Sequence, residues 1–176
     1  MKVVVTEYRD EWTQQFSEES QKMKEIFGDE VIDIYHIGST SVPGLKAKPI
    51  IDIMPVVKDI KKIDSFNEQM QGLGYECMGE FGIKGRRYFR KGAKHRTHQV
   101  HVFQEDNKDD ITRHLAVRDY LRTHPDEARA YGDLKESLAK RFPRDFEAYK
   151  DGKDMFVKEL ERKALHWYKM MYKEGK

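Results

Sequence analysis

Cysteine is nearly missing from this sequence: Cys77 is the single thiol among 176 residues. One cysteine cannot form an intramolecular disulfide framework, and a metal site made of cysteines is excluded as well. Low cysteine usage is typical of proteins that work in a reducing compartment. The sequence therefore predicts a cytoplasmic protein that is stabilised by its core.

Long apolar runs and an excess of one charge are missing too. Acidic residues interrupt the short apolar run of the opening, MKVVVTEYRDEW, and no uncharged stretch approaches the ~18 residues of a membrane span. These features predict neither a signal peptide nor a membrane partner. The 33 Lys and Arg residues nearly balance the 31 Asp and Glu residues, so the overall charge does not favour a nucleic-acid partner.

The periodicity of the apolar residues changes along the chain and predicts two parts. Residues 1–108 carry an amphipathic helix that ends at Gly28, followed by segments with the pattern of strands. From residue 109 the pattern is helical, with Pro125 placed as in a first helical turn. The sequence thus predicts an α/β core over 1–108 and a helical part over 109–176 that packs on it. The strand candidates lie at 30–37, 49–57, 75–81, 86–91 and 97–103.

A polar turn separates the first two strand candidates, in the segment HIGSTSVPGLKAKPIIDIM. Gly38, Ser39 and Thr40 offer backbone N–H groups and hydroxyls, which are donors suited to phosphate. Lys48 follows as a cation before the second strand. The Gly-x-x-x-x-Gly-Lys spacing of a Walker loop is absent. Both a phosphate-binding turn and a tight turn between buried strands fit this segment.

Two polar side chains interrupt apolar strand candidates. Asp52 lies in PIIDIMPVV and His101 lies in THQVHVF. A carboxylate in an apolar strand is paired, bound to a metal or on an exposed face, and a strand histidine is a hydrogen-bonded residue or a ligand. His36, at the carboxyl end of the first strand, is a candidate for a third donor. The pattern leaves a hydrogen-bonded pair and a metal site open.

A basic hairpin is predicted between Phe81 and Gln104, where the sequence has seven Lys and Arg residues and no acidic residue. Alternation along RRYFRK places Arg86 and Arg90 on one face and Arg87 on the other. An arginine fork matches the oxygens of phosphate. A solvated hairpin explains the same charges, so the two interpretations remain open.

The segments HIGSTSVPGLKAKPIIDI, GIKGRRYFRK, HQVHVF and HLAVRDYLRTHPDEARAYGDLKESLAKRF resemble the GrpB family in order and spacing, and EYRDEWTQQF resembles its start. GrpB proteins resemble the nucleotidyltransferase superfamily, which is related in fold to polymerase beta. In some bacteria a similar domain is joined to dephospho-CoA kinase. The resemblance implies an α/β (α+β) fold with a mixed, mainly antiparallel sheet of about five strands and a helical C-terminal part. It also implies a functional link to dephospho-CoA kinase.

The superfamily pattern is a Gly-Ser at the end of one strand, an Asp-x-Asp pair on the next strand and a third carboxylate on a later strand. Two metal ions held by these carboxylates align a triphosphate. The resemblance matches Gly38 and Ser39 to the first element and Asp52 to one carboxylate. The residues two positions before and after Asp52 are apolar, and His101 stands at the third position. Imidazole in place of carboxylate suits Zn²⁺ or Mn²⁺ better than Mg²⁺.

We therefore expect a protein that binds a nucleotide or a phosphorylated small molecule and is a candidate for nucleotidyl transfer. Alternatives are a non-catalytic module that binds a nucleotide or a coenzyme A precursor, and a metal-dependent hydrolase. Asp52 and His101 are expected to face each other on adjacent or next-adjacent strands, beside Gly38 and Ser39, as the catalytic residues. With His36 they are the candidate ligands of a divalent metal, Mn, Zn or Mg. The expected phosphate-binding residues are Gly38, Ser39, Thr40, Lys48, Arg87 and Arg90.

Overall fold

The computed structural model describes residues 2–173. Within that range the chain forms five α-helices and five β-strands. The helices are α1 Glu11–Phe27, α2 Asn67–Gly72, α3 Lys108–Thr123, α4 Pro125–Arg141 and α5 Phe146–Lys173, and the strands are β1 Val31–Ile37, β2 Ile51–Val57, β3 Tyr75–Cys77, β4 Arg86–Lys91 and β5 His98–Gln104.

The five strands form one sheet in the order β1-β2-β5-β4-β3. The two central strands, β2 and β5, are parallel, and every other neighbouring pair is antiparallel. Apolar residues of the central strands are fully buried, Ile53 and Val100 among them. Runs of this kind are typical of strands that are covered on both faces. The predicted fold class, a mixed and mainly antiparallel sheet of five strands with helices, is confirmed.

The predicted strand at 75–81 was too long. β3 ends at Cys77, and the following segment contains Gly79 and Gly82, which both have a positive φ. Glycine adopts such angles without steric cost, whereas a regular strand does not contain them. The segment 78–85 is consequently a loop between β3 and β4.

The described chain divides into two compact units. One unit contains residues 10–37 and 50–111, and it includes the whole sheet; the other contains residues 2–9, 38–49 and 112–173. The helical pattern expected from residue 109 begins with α3 at Lys108. Segments 2–9 and 38–49 belong with the helices, and they pair with each other through Thr6 and Ala47. The division 1–108 and 109–176, and the packing of the helical part on the core, stay predictions. None of the helices within residues 2–173 is long and apolar enough to cross a membrane.

The turn that joins β4 to β5 contains Gly92, at a φ of 91°. A Cβ on this residue would meet the carbonyl oxygen of His95, which is backbone and cannot rotate away. The turn is closed by a hydrogen bond from Thr97 N–H to the Lys91 carbonyl at 3.0 Å. The strand that follows this turn, β5, begins at His98 and carries His101.

We expect Gly92→Ala to be more destabilising than Gly82→Ala. Both glycines have nearly the same φ, 91° and 88°, so both variants incur the strain of a left-handed L-residue, about 1–2 kcal/mol. Nothing lies within 4 Å of a Cβ at Gly82, whereas at Gly92 the clash with His95 adds to the strain. Urea denaturation of both variants measures the difference in free energy of unfolding. Equal losses would show that the turn at Gly92 relaxes around the new methyl group.

Candidate functional site

The sheet brings Asp52 and His101 together. β2 and β5 are neighbours, and Asp52 is in register with Gln99. His101 lies two residues further along β5, so its side chain projects from the same face. His101 Nε2 is 3.1 Å from Asp52 Oδ1, and the two side chains are 12% and 24% exposed. The expectation that these two side chains face each other on adjacent strands is confirmed.

Arg86 determines which nitrogen of His101 carries the proton. Arg86 Nη1 is 3.2 Å from His101 Nδ1. A guanidinium only donates hydrogen bonds, so Nδ1 must be the acceptor. The neutral ring then carries its proton on Nε2, and this N–H donates a hydrogen bond to the Asp52 carboxylate. Arg86, His101 and Asp52 thus form a chain of hydrogen bonds in which each donor has an acceptor.

The arrangement does not fit the two metal ions of the superfamily mechanism. Both ring nitrogens of His101 are used, by Arg86 and by Asp52, and a metal ion needs a nitrogen lone pair. Between residues 2 and 173, no three His, Cys, Asp or Glu side chains lie close enough together to hold a metal ion. The expected metal site of Asp52, His101 and His36 is not assembled.

His36 lies on the opposite face of the sheet from Asp52. On β1, Ile37 is in register with Asp52, and His36 is in register with Ile53. Residues in register share a face and successive residues alternate, so His36 is directed away from the carboxylate. Its ring stacks on Phe16 of α1, with the centroids 4.8 Å apart.

The two arginines selected from the basic hairpin occupy different faces. Arg90 is in register with Gln99 and thus shares the face of Asp52, and its Nε donates to Glu76 at 2.7 Å. Arg87 lies on the other face, and its Nε donates to Asp64 at 2.7 Å. The hydrogen bond to Asp64 raises the pKa of Arg87. The structure does not bring Arg87 together with Asp52 and His101.

The Gly-Ser turn belongs to the unit that contains most of the helical residues. Gly38 has a φ of 73°, which glycine adopts readily, and Ser39–Ser41 form a single 3-10 turn. Ser41 N–H donates to the Gly38 carbonyl at 3.1 Å. Thr40 is buried. Arg122 of α3 donates through Nε to the Ser41 carbonyl at 3.0 Å, so the turn is held in place by a helix of its own unit.

A buried lysine contacts this turn. Lys135 of α4 is 2% exposed, and its Nζ donates to the Ser39 hydroxyl at 2.8 Å. Its ammonium also lies 4.3 Å from the ring centroid of Tyr131. Burial, and then the positive charges of Lys153 and Lys48, lower the pKa of Lys135 to about 6. The charged groups that act on this lysine are therefore cations.

Lys48, Lys135 and Lys153 together form what we call the lysine cluster. Lys48 Nζ lies 5.5 Å and Lys153 Nζ lies 5.3 Å from the ring centroid of Tyr149. The Tyr149 hydroxyl is buried and has no hydrogen-bond partner among the described residues. Lys46, in the same unit, donates to Asp133 at 3.2 Å and to Glu136 at 3.1 Å. The lysine cluster is thus a group of basic side chains near the hydroxyls of Ser39 and Tyr149.

Sequence reasoning missed Arg86 and Lys135. Arg86 was placed on one face of the hairpin by alternation, but nothing in the sequence showed that this face carries Asp52. Lys135 falls between Tyr131 and Leu138 at the spacing of one helical face, and both neighbours are buried. A lysine inside an apolar helical stripe was therefore the available signal.

The chain is similar to known proteins over most of its length. The family model described as GrpB protein matches residues 2–163. The UPF0157 protein YqkA of Bacillus subtilis is 46% identical over 168 residues, which cover 96% of this chain and 49% of YqkA. The chain thus spans about half the length of that relative. Dephospho-CoA kinase of Mycolicibacterium paratuberculosis is 24% identical over a match that covers 89% of this chain and 44% of the kinase.

Solved structures show the same relationship. GrpB from Enterococcus faecalis superposes with a TM-score of 0.91 and 49% identity, over 94% of this chain and 99% of that one. Cid1, an RNA terminal uridylyl transferase, was solved in complex with the UTP analogue UMPNPP; it matches 77% of this chain and 43% of its own, with a TM-score of 0.51 and 16% identity. At that identity the similarity to Cid1 shows a shared fold alone.

We expect Lys135→Met to raise the melting temperature near pH 6 to 7 in a buffer without multivalent anions. The pKa of Lys135 is lowered, so the unfolded chain binds more protons than the folded one between about pH 6 and pH 10, and stability rises with pH across that window. Methionine keeps the volume of the side chain and removes this dependence. The gain over the parent should shrink as the pH approaches 10, and melting curves at several pH values measure it.

Lys46→Met is the matched control for this experiment. Its hydrogen bonds to the carboxylates of Glu136 and then Asp133 raise the pKa of Lys46. The control should therefore lose a little stability and keep the pH profile of the parent. His98, whose pKa is lowered by burial, contributes equally to all three proteins. Parallel profiles for the parent and Lys135→Met would contradict the charge assignment at Lys135.

Proposed function

We propose that this chain, which belongs to the GrpB family and has a nucleotidyltransferase-like fold, binds a nucleotide or a phosphorylated small molecule. The observation that carries the proposal is the buried side chain of Lys135, whose Nζ donates to the Ser39 hydroxyl and whose pKa is lowered by burial and by the positive charges of Lys153 and Lys48. We assign phosphate binding to this group.

The electrostatics of the lysine cluster favour an anion. A buried ammonium without a negative partner is costly, and other cations nearby add to that cost. A phosphate group offsets both, because it has several negative oxygens that accept charge-assisted hydrogen bonds. The phosphate charge would favour the protonated form of Lys135, which would donate to it together with the Ser39 hydroxyl, and Lys48 would add a second positive charge. Gly38 and Thr40, which shape the turn, complete the proposed phosphate-binding set.

Nucleotidyl transfer is the second candidate function, and the chain of hydrogen bonds through Arg86, His101 and Asp52 favours it. His101 orients the one carboxylate of the sheet that matches the superfamily pattern, and a carboxylate in that position is suited to accept a proton from an attacking hydroxyl. A single carboxylate does not replace a two-metal centre. Binding without turnover is therefore the primary proposal. The metal-dependent hydrolase is not proposed, because its donors are not assembled.

The match to dephospho-CoA kinase bears on the choice of ligand. If the chain acts beside such a kinase, its ligand is a phosphorylated precursor or product of coenzyme A. Dephospho-CoA contains both an adenine nucleotide and a diphosphate, so it belongs to the same chemical class as the proposed ligand. We include it among the compounds to be tested, and the link to that kinase remains part of the proposal.

We expect calorimetric titration to detect binding of at least one of inorganic triphosphate, ATP, UTP and dephospho-CoA. Lys135→Met should weaken that binding by about 10- to 100-fold, because a charge-assisted hydrogen bond contributes about 1.5–3 kcal/mol. Lys46→Met should bind within about twofold of the parent, since that lysine is occupied by Asp133 and Glu136. Equal losses in the two variants, or no binding to any of the four compounds, would overturn the proposal.

We expect ligand-induced stabilisation of the parent without turnover. The measurement is a screen for nucleotide transfer and hydrolysis with Mg²⁺, Mn²⁺ or Zn²⁺, performed on the parent, Asp52→Asn and His101→Gln and accompanied by melting temperatures. Asp52→Asn should keep most of the stabilisation by ligand. Turnover that both substitutions abolish, with ligand-induced stabilisation retained, would instead establish transfer as the function.

A further inference from the structure

Phe81, in the loop between β3 and β4, combines exposure with backbone strain. Its side chain is 52% exposed, and its φ is 46°. Within residues 2–173 it is the one residue other than glycine with a positive φ. Gly79 and Gly82 flank it, and glycine would adopt this conformation without strain. A phenylalanine at such a position is costly to stability, and strain of this kind collects at ligand sites.

Arg86 holds the strained backbone in place. Its Nη2 donates to the Phe81 carbonyl at 3.0 Å, and its Nε donates to the Glu80 carbonyl at 3.2 Å. The same guanidinium contacts His101 through Nη1. The position of Phe81 is consequently coupled to the hydrogen-bond chain that ends at Asp52.

Aromatic rings connect Phe81 with that chain. The Phe81 and Tyr88 centroids are 5.2 Å apart and the planes are inclined by 24°, while the Tyr88 and His101 centroids are 5.4 Å apart. Tyr88 and His101 are in register on β4 and β5, so they share the face that carries Asp52. The Arg90 guanidinium lies 5.5 Å from the Phe81 centroid. An exposed ring thus stands at the outer end of a row of rings that leads to the candidate carboxylate.

We propose that Phe81 is a stacking platform for the base of a nucleotide. This inference deepens the proposed function, on which it rests for the nucleotide class of the ligand. Every nucleobase has a flat π-face that stacks on an aromatic ring, and nearby guanidinium groups donate hydrogen bonds to base carbonyls. Phosphate has no such face, so stacking on Phe81 does not contribute to the binding of phosphate. A ligand that binds at Phe81 therefore needs a base, and phosphate alone is not expected to bind there.

The test separates the base from the phosphate. Uridine, adenosine and inorganic triphosphate are titrated separately into the parent protein and into Phe81→Gly, Phe81→Leu and Phe81→Trp, with binding followed by NMR chemical shifts. Tyr172→Ala is the matched control, since Tyr172 is an exposed aromatic side chain of similar exposure, 55%. Melting temperatures are recorded for every variant.

We expect Phe81→Gly to weaken nucleoside binding by about 5- to 100-fold, the range for loss of one base stacked on an aromatic ring. Phe81→Leu should lose about as much, because leucine is apolar but has no π-face, and Phe81→Trp should retain binding. Triphosphate binding should be unchanged in all of them. Phe81→Gly should melt at or above the temperature of the parent, because glycine relieves the strain at this φ. The control should bind nucleosides like the parent.

The outcomes distinguish this inference from the proposed function. If triphosphate binds but nucleosides do not bind, or bind equally well to the Phe81 variants, the stacking role of Phe81 is overturned. Phosphate binding at the lysine cluster would then still stand. Nucleoside binding that depends on Phe81, without triphosphate binding, would support stacking and overturn the role of the lysine cluster. A third outcome is that Phe81→Gly melts below the parent, whereas Phe81→Leu has the stability and the nucleoside binding of the parent. This result would show that Phe81 only covers Tyr88, and it would overturn the proposal.

Discussion

The parallel pairing of β2 with β5 is the constraint on which the candidate chemistry depends. This pair sets Asp52 opposite Gln99, and the alternation of side chains then places His101 on the face of Asp52. His101, Tyr88 and Arg86 share the face of Asp52 because β4 is antiparallel to β5 in one particular register. A shift of one residue would turn each of these side chains to the other face. The site on the sheet is thus a consequence of strand register.

The two units satisfy their buried charges in different ways. On the sheet, Arg86 donates to His101, which donates to Asp52, so positive and negative groups are connected through one neutral ring. Beside the Gly-Ser turn, Lys135 donates to a neutral hydroxyl, and lysines are the charged residues that affect its pKa. The first arrangement is complete without a ligand. The second gains most from an anion, and this difference is why phosphate binding is assigned to the lysine cluster.

The chain differs from the superfamily pattern in the carboxylates that would hold metal ions: apolar residues lie two positions from Asp52, and His101 takes the third position. A site for two divalent metal ions requires several carboxylates, whereas the one carboxylate that hydrogen-bonds to His101 is that of Asp52. The chain thus shares the fold of Cid1, whereas the charge that two divalent metal ions need is not assembled around His101. A shared fold does not by itself imply a shared activity. The features that remain suit recognition of a nucleotide, and the strained Phe81 fits that role because it sacrifices stability for an exposed ring.

Sequence alone predicted the five strands, apart from the length of β3, and the proximity of Asp52 to His101, because periodicity is a local property and motif order follows from a family resemblance. The tertiary structure decided which hairpin arginine shares a face with Asp52 and which side of the sheet His36 occupies, since both depend on strand register. It also decided that Lys135 of α4 contacts Ser39. These two residues are far apart in the sequence, and no pattern in either segment specifies the other. The burial that lowers the pKa of Lys135 exists only after the helix has packed.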